Sequence, residues 1–143
     1  YLDGFLHIQI STNSTNEDQR KELFGGANVV TIEEMKKEFN NLHNDNRLIT
    51  LNFICGSGWV VDPNKLEGLN PNVFCVKLTP LNINPATKKN KLEDAIKWNW
   101  DNMFRIKQRL ETFGLKTIID VAAMCELDLC CGNLVQQRFI KSK

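Results

Sequence analysis

Two adjacent thiols, Cys130 and Cys131 in the run Glu126-Leu127-Asp128-Leu129-Cys130-Cys131-Gly132-Asn133-Leu134, are the residues whose types and spacing point most directly to chemistry. Neighbouring side chains on an extended segment face opposite ways, so the two cannot enter the same core together. One of them is expected to face a cleft or solvent. Gly132 lets the backbone turn sharply or approach a ligand closely, which suits a reactive thiol on a loop. The competing reading is packing, because a free cysteine often serves as a small core hydrophobe. A metal site fits the pattern poorly. Cys125-x4-Cys130-Cys131 is not a usual zinc or iron–sulfur spacing, CxxC does not occur, and His7 and His43 are the two imidazoles, so no metal ligand is expected among these residues.

The elements that must position such a site follow from periodicity and turn chemistry. Phe5 to Ser11 alternates apolar and polar residues and reads as a strand, running into the polar loop Ser11-Thr12-Asn13-Ser14-Thr15-Asn16. Glu17 to Phe24 suits a short helix ended by Gly25-Gly26. Thr31-Ile32-Glu33-Glu34 is a capping box opening a second helix through about Leu42, with Ile32, Met35, Phe39 and Leu42 as its apolar stripe. Leu48 to Cys55 is a second strand, apolar enough for both faces to be covered, and Gly56-Ser57-Gly58 closes it. Asp62 to Leu69 is at most a short helix started by Pro63, and Val73 to Leu78 is a third strand followed by a loop from Thr79 to Pro85. A cap at Asn90-Lys91-Leu92-Glu93 begins a long amphipathic helix whose stripe of Leu92, Ile96, Trp100, Met103, Ile106 or Lys107, Leu110 and Phe113 reaches the helix-ending Gly114. Of Trp98 and Trp100, on alternate sides of that helix, one is expected in the core and the other on a partly exposed face or interface. Lys116 to Ala122 is a fourth strand.

Strands separated by helices imply parallel pairing, and ligands of parallel α/β sheets gather beyond the C-terminal strand ends. Those ends carry Ser11-Thr12-Asn13, Cys55-Gly56-Ser57-Gly58, Pro80-Leu81-Asn82 and Cys130-Cys131, so all four are expected on one rim. Asn82 offers an amide donor and an acceptor, as reading a purine edge or an amino-acid group requires; its alternative role is to cap a turn. Gly56-Ser57-Gly58 lacks the spacing of a phosphate-binding loop.

At 143 residues and 42% hydrophobic, the chain suffices for one domain with a core. Its net charge of +1 gives no global positive field to collect nucleic acid, although a local basic patch remains compatible with it. Five cysteines without a regular framework suggest a reducing cytoplasm, and no apolar run approaches the roughly 18 residues that span a bilayer. The chain opens at Tyr1 on the approach to a strand, with no signal peptide, and reads as cut from something longer.

Taken together, the rim residues resemble the C-terminal half of the radical S-adenosylmethionine (SAM) RNA adenine methyltransferases that methylate carbon 2 or carbon 8 of adenine. Ile10 to Arg20 is similar to that family's strand, Ser-Leu-His segment and following acidic–Arg stretch; Val76-Lys77-Leu78-Thr79-Pro80-Leu81-Asn82 to its strand followed by Pro-x-Asn; and Asp128-Leu129-Cys130-Cys131-Gly132-Asn133-Leu134 to its Asp-x-Ala-Cys-Gly-Gln-Leu. The resemblance implies cosubstrate contacts from Ser11, Thr12, Asn13 and Asn82. It implies that Cys131 is methylated and then bonded covalently to the substrate base. One SAM would methylate the cysteine, a second would be cleaved at a 4Fe–4S cluster to a radical that activates the methyl group, and another cysteine would resolve the adduct. The cluster ligands, CxxxCxxC in that family, do not occur in this sequence, so they are expected in a missing N-terminal half of the same protein. The fold implied is the C-terminal portion of a partial (β/α) barrel with parallel strands, residues 1–143 forming one piece of it that is inactive alone. RNA is an implied partner. The family's Ser-Leu-His histidine is replaced by Asn13, its Arg-Gly by Ala123-Met124 and a further basic position by Asp120, which points to a divergent member whose substrate is RNA or another molecule.

Two rival readings accompany this one: a non-catalytic α/β binding fragment whose cysteines are merely packed, and a thiol or redox enzyme that uses Cys130 and Cys131 without a radical.

Overall fold

The computed structural model describes residues 8–42, 47–81, 89 and 100–120. Four strands, β1 (Gln9–Ser11), β2 (Ile49–Cys55), β3 (Phe74–Pro80) and β4 (Lys116–Ile119), form one sheet in the order β1-β2-β3-β4. Every neighbouring pair is parallel. Helices α1 (Glu17–Leu23), α2 (Ile32–Phe39) and α3 (Trp100–Thr112), with a 3-10 turn at Pro63–Leu66, are the helical elements among the described residues. The architecture is therefore α/β, with parallel strands arranged as part of a (β/α) barrel, as expected.

Each element forms for a local reason. Thr31 Oγ1 accepts from Glu34 N at 3.1 Å, and the Glu34 carboxylate accepts from Thr31 N at 2.8 Å, which completes the capping box of α2. The same bonds, the backbone one foremost, hold the Glu34 carboxyl below its ordinary pKa. Met103, Ile106 and Leu110 recur at helical spacing and are the buried residues of α3. That helix stops at Gly114, whose φ of +79° suits glycine and where an added Cβ would lie 3.3 Å from Pro71 Cγ.

Alternation along the strands divides the sheet into two unlike faces. Ile49, Leu51, Phe53 and Cys55 of β2 lie in register with Phe74, Val76, Leu78 and Pro80 of β3. All of these but Pro80 join Ile32, Met35, Leu66, Met103, Ile106 and Leu110 in the core beneath the helices. The opposite, inner face carries Gln9 and Ser11, Thr50 and Asn52, and Cys75, Lys77 and Thr79.

Several boundaries differ from the sequence reading. The first strand begins at Gln9, and the fourth ends at Ile119. The second helix ends at Phe39, leaving Leu42 exposed, because Asn40 turns its amide to the Gly68 carbonyl and accepts from Asn70 N. The third strand extends through Thr79 and Pro80. Pro80 lies opposite Cys55, and the ladder continues past its missing N–H through the bond from Leu81 N to the Cys55 carbonyl at 2.9 Å. Trp100, placed in the apolar stripe by spacing, is 42% exposed at the first turn of α3. Trp98 and the proposed cap at Asn90 lie outside the described residues.

Two outcomes follow from this core. Phe53→Ala, which empties a site with no solvent exposure, is expected to cost about 3–5 kcal/mol by urea unfolding. Cys55 is equally buried, and desolvation pushes its thiol up to about 12 against a weaker opposing hydrogen bond from the Thr79 backbone. Because the folded form keeps its proton longer than an unfolded thiol does, this contribution to stability is present below about pH 8.5 and declines as pH rises toward 12. Iodoacetamide at pH 8 should leave Cys55 unlabelled until denaturant is added; rapid labelling of the native chain would contradict the burial.

Candidate functional site

Parallel pairing brings the C-terminal ends of all four strands to one edge of the sheet, and the segment after β1 is built there in most detail. Ser11 is the last residue of β1, lies opposite Asn52 and is exposed. The Asn52 carbonyl then accepts from two successive amides, Thr12 N at 2.8 Å and Asn13 N at 3.3 Å. Thr12 has no solvent exposure, and its hydroxyl donates to the Ile10 carbonyl at 3.3 Å. The chain reverses at Asn13, whose φ of +60° is a left-handed value uncommon for any residue but glycine, asparagine and aspartate. Among the described residues, Asn13 Oδ1 is the buried side-chain polar atom that has no hydrogen-bond partner.

The strained turn is braced from behind. Arg20, only 2% exposed, donates from Nε to the Thr12 carbonyl at 3.2 Å and from Nη1 to Glu17 Oε2 at 2.9 Å. Glu17 Oε1 in turn accepts from Ile32 N, at the start of α2, at 3.0 Å. One buried guanidinium thus links the end of β1 to two helices, and its charge is paired as burial demands. The turns after β1 and β2 are joined by Gln19, which donates to the Gly58 carbonyl and accepts from Val60 N, both at 2.8 Å. Thr15 N and the Ser14 hydroxyl also meet the Val60 carbonyl.

Sequence reasoning overlooked Gln19, Arg20 and Asn52 as positioning residues. Glu17 and Arg20 are spaced i, i+3 on α1, and nothing local says that the guanidinium reaches inward to a carbonyl eight positions earlier. Asn52 lies within an apolar run whose backbone role depends on a partner strand. Ser11, Thr12 and Asn13 are brought together as one turn. The other expected site residues, Asn82 and Cys131, lie outside the described residues, as do Cys125 and Cys130.

A cavity of about 270 Å³ lies behind the braced turn, lined by Thr15, Asn16, Glu17, Asp18, Ile32, Glu33 and Lys65. It belongs to the helix ends rather than the inner sheet face, and Glu17 is already spent on Arg20 and Ile32. Among the described residues no three His, Cys, Asp or Glu side chains converge as metal ligands, and no helix is long and apolar enough to cross a membrane.

No protein-family model matches the chain, and no curated protein matches it. Among solved structures it is similar to a radical SAM methyltransferase from Sphaerobacter thermophilus, with a TM-score of 0.64 and 18% identity over 90% of this chain. The chain spans 38% of that protein's length, and the likeness establishes a shared fold.

Proposed function

We propose that the chain is the C-terminal half of a methyltransferase-type radical SAM enzyme, in which Ser11, Thr12, Asn13 and Asn82 contact S-adenosylmethionine and Cys131 is the methyl-accepting, covalent residue. The observation that carries this reading is the Asn13 turn: a left-handed asparagine with an unpartnered buried acceptor, at the C-terminal edge of a parallel sheet whose fold is shared with a radical SAM methyltransferase. A buried acceptor left unpaired costs about 1–3 kcal/mol. A bound ammonium or ribose hydroxyl donating to Asn13 Oδ1 removes that cost, so the strain held by Arg20 and Asn52 favours the occupied site. Ser11, two positions earlier and exposed, adds a hydroxyl able to donate or accept.

The residues of this chain do not fit an iron–sulfur cluster, since CxxxCxxC does not occur in it and the described residues gather no ligand set. In this enzyme class the cluster supplies the electron that cleaves SAM, and its ligands are assigned here to an N-terminal half beyond this sequence. The role left to these residues is to bind and orient the cosubstrate and to present a thiol. RNA is the substrate that the motifs imply; with a net charge of +1, any RNA contact must come from local groups rather than a global field.

Asn13→Gly separates ligand binding from folding, because glycine accepts the left-handed backbone and removes the acceptor. The expected result is an unchanged or raised Tm with about tenfold weaker SAM binding to the cluster-bearing enzyme, read by calorimetry. Unaltered affinity would remove Asn13 from the site. For the thiols, timed alkylation with peptide mass spectrometry should label Cys131 faster than Cys75, which is 5% exposed and has its Sγ 3.2 Å from Thr50 Oγ1. Equal rates on the native chain would argue for a packed Cys131.

A further inference from the structure

Beside Ser11, the inner face of the sheet holds a group of side chains with no part in the hydrogen bonds of the Asn13 turn. Lys77 of β3 and Asp120, immediately after β4, form an ion pair with Nζ 2.8 Å from Oδ2, their side chains 29% and 37% exposed. Lys77 lies opposite Asn52 in the strand register, and Thr79 donates its hydroxyl to Asn52 Oδ1 at 2.8 Å. Asp120 N donates to the Leu78 carbonyl at 2.8 Å, which sets Asp120 level with Thr79 near the C-terminal edge. Ser11 lies opposite Asn52 on its other side. Hydroxyl, carboxamide, ammonium and carboxylate therefore follow one another across one face, toward the edge that carries Asn13.

These groups have more bonding capacity than they use on each other. An ammonium has three donors and the contact with Asp120 takes one, and the carboxylate has a second oxygen that this contact does not use. A pair this exposed contributes little to stability. Nor does it suit a polyanion, because a carboxylate at contact distance cancels most of the field that a phosphate would feel from the ammonium. What it complements is a group bearing both signs at similar spacing, its carboxylate against Lys77 and its ammonium against Asp120, so that four charges alternate. The Asn52 amide, on the same face, supplies an uncharged donor beside them.

We propose that Lys77, Asp120 and Asn52 bind the α-ammonium-carboxylate end of a small molecule, an assignment that rests on the radical SAM reading only for what is then done to that molecule. Two sources share this chemistry: an amino-acid-like substrate and the methionyl end of the cosubstrate. The test is a ¹H–¹⁵N NMR titration of the whole 143-residue chain with L-alanine, acetate and a short single-stranded RNA as separate probes. L-Alanine should shift the Asn52 side-chain amide and the Lys77 and Asp120 backbone amides saturably. Acetate should bind at least about tenfold more weakly, and Lys77→Met and Asp120→Asn should each weaken L-alanine by a similar factor while Tm stays near that of the unaltered chain.

S-Adenosylhomocysteine, added to the cluster-bearing enzyme, forms the second arm. If it competes with L-alanine at these residues, the zwitterion is the cosubstrate's own; if both bind together, it is the substrate's. L-Alanine binding at Lys77, with no S-adenosylhomocysteine binding that depends on Asn13 in the cluster-bearing enzyme, would sustain the zwitterion site while counting against the radical SAM reading. No saturable L-alanine shift up to its solubility limit would overturn the zwitterion site, and so would RNA binding that depends on Lys77 in place of L-alanine binding.

Discussion

The seven-residue parallel ladder between Ile49–Cys55 and Phe74–Pro80 is the constraint on which the rest depends. Once these strands pair in register, every odd-numbered residue of β2 enters the core under the helices and the intervening residues are committed to the opposite face. A slip of one residue would turn Thr50 and Asn52 toward the helices and move Leu51 and Phe53 to the polar face. The same ladder sets the direction of the sheet, and parallel neighbours on either side bring every strand's C-terminal end to one edge.

Asn52 shows how this constraint reaches the candidate site. Its backbone carbonyl closes the turn at Thr12 and Asn13, while its side chain on the inner face takes the Thr79 hydroxyl. One residue of a central strand thus couples the β1 turn to β3. Arg20 supplies the complementary hold from the helix side, where burial makes each of its bonds count for more than a surface pair would. The strain at Asn13 persists because both sides over-determine it.

The two faces also differ in composition. The helix side holds the aliphatic and aromatic core, including a Cys55 thiol whose burial keeps it protonated. The inner side gathers the buried Asn52 with the more exposed Ser11, Lys77, Thr79 and Asp120. A barrel-derived sheet can keep polar groups on that side because the helices already cover the other one. The same fold occurs in a radical SAM methyltransferase.

The sequence by itself determined the elements whose causes are local. The capping box at Thr31 and Glu34, the glycine that ends α3, the apolar stripe of Met103, Ile106 and Leu110, and the dense run of β2 all depend on spacing within a few residues. Parallel pairing was legible too, since helices intervene between the strands, and so was the clustering of Ser11, Thr12 and Asn13 at a strand's end. Only the tertiary structure decided which polar residues hold the site, because hydrogen bonds between Arg20 and Thr12, Gln19 and Val60, or Thr79 and Asn52 join residues eight to forty-one positions apart. It likewise decided that Asn40 ends α2, that Pro80 continues β3, and that Lys77 meets Asp120. Sequence spacing describes what a residue's neighbours along the chain allow. Whether a buried polar group finds a partner, or is left as Asn13 Oδ1 is, depends on which distant backbone is brought beside it.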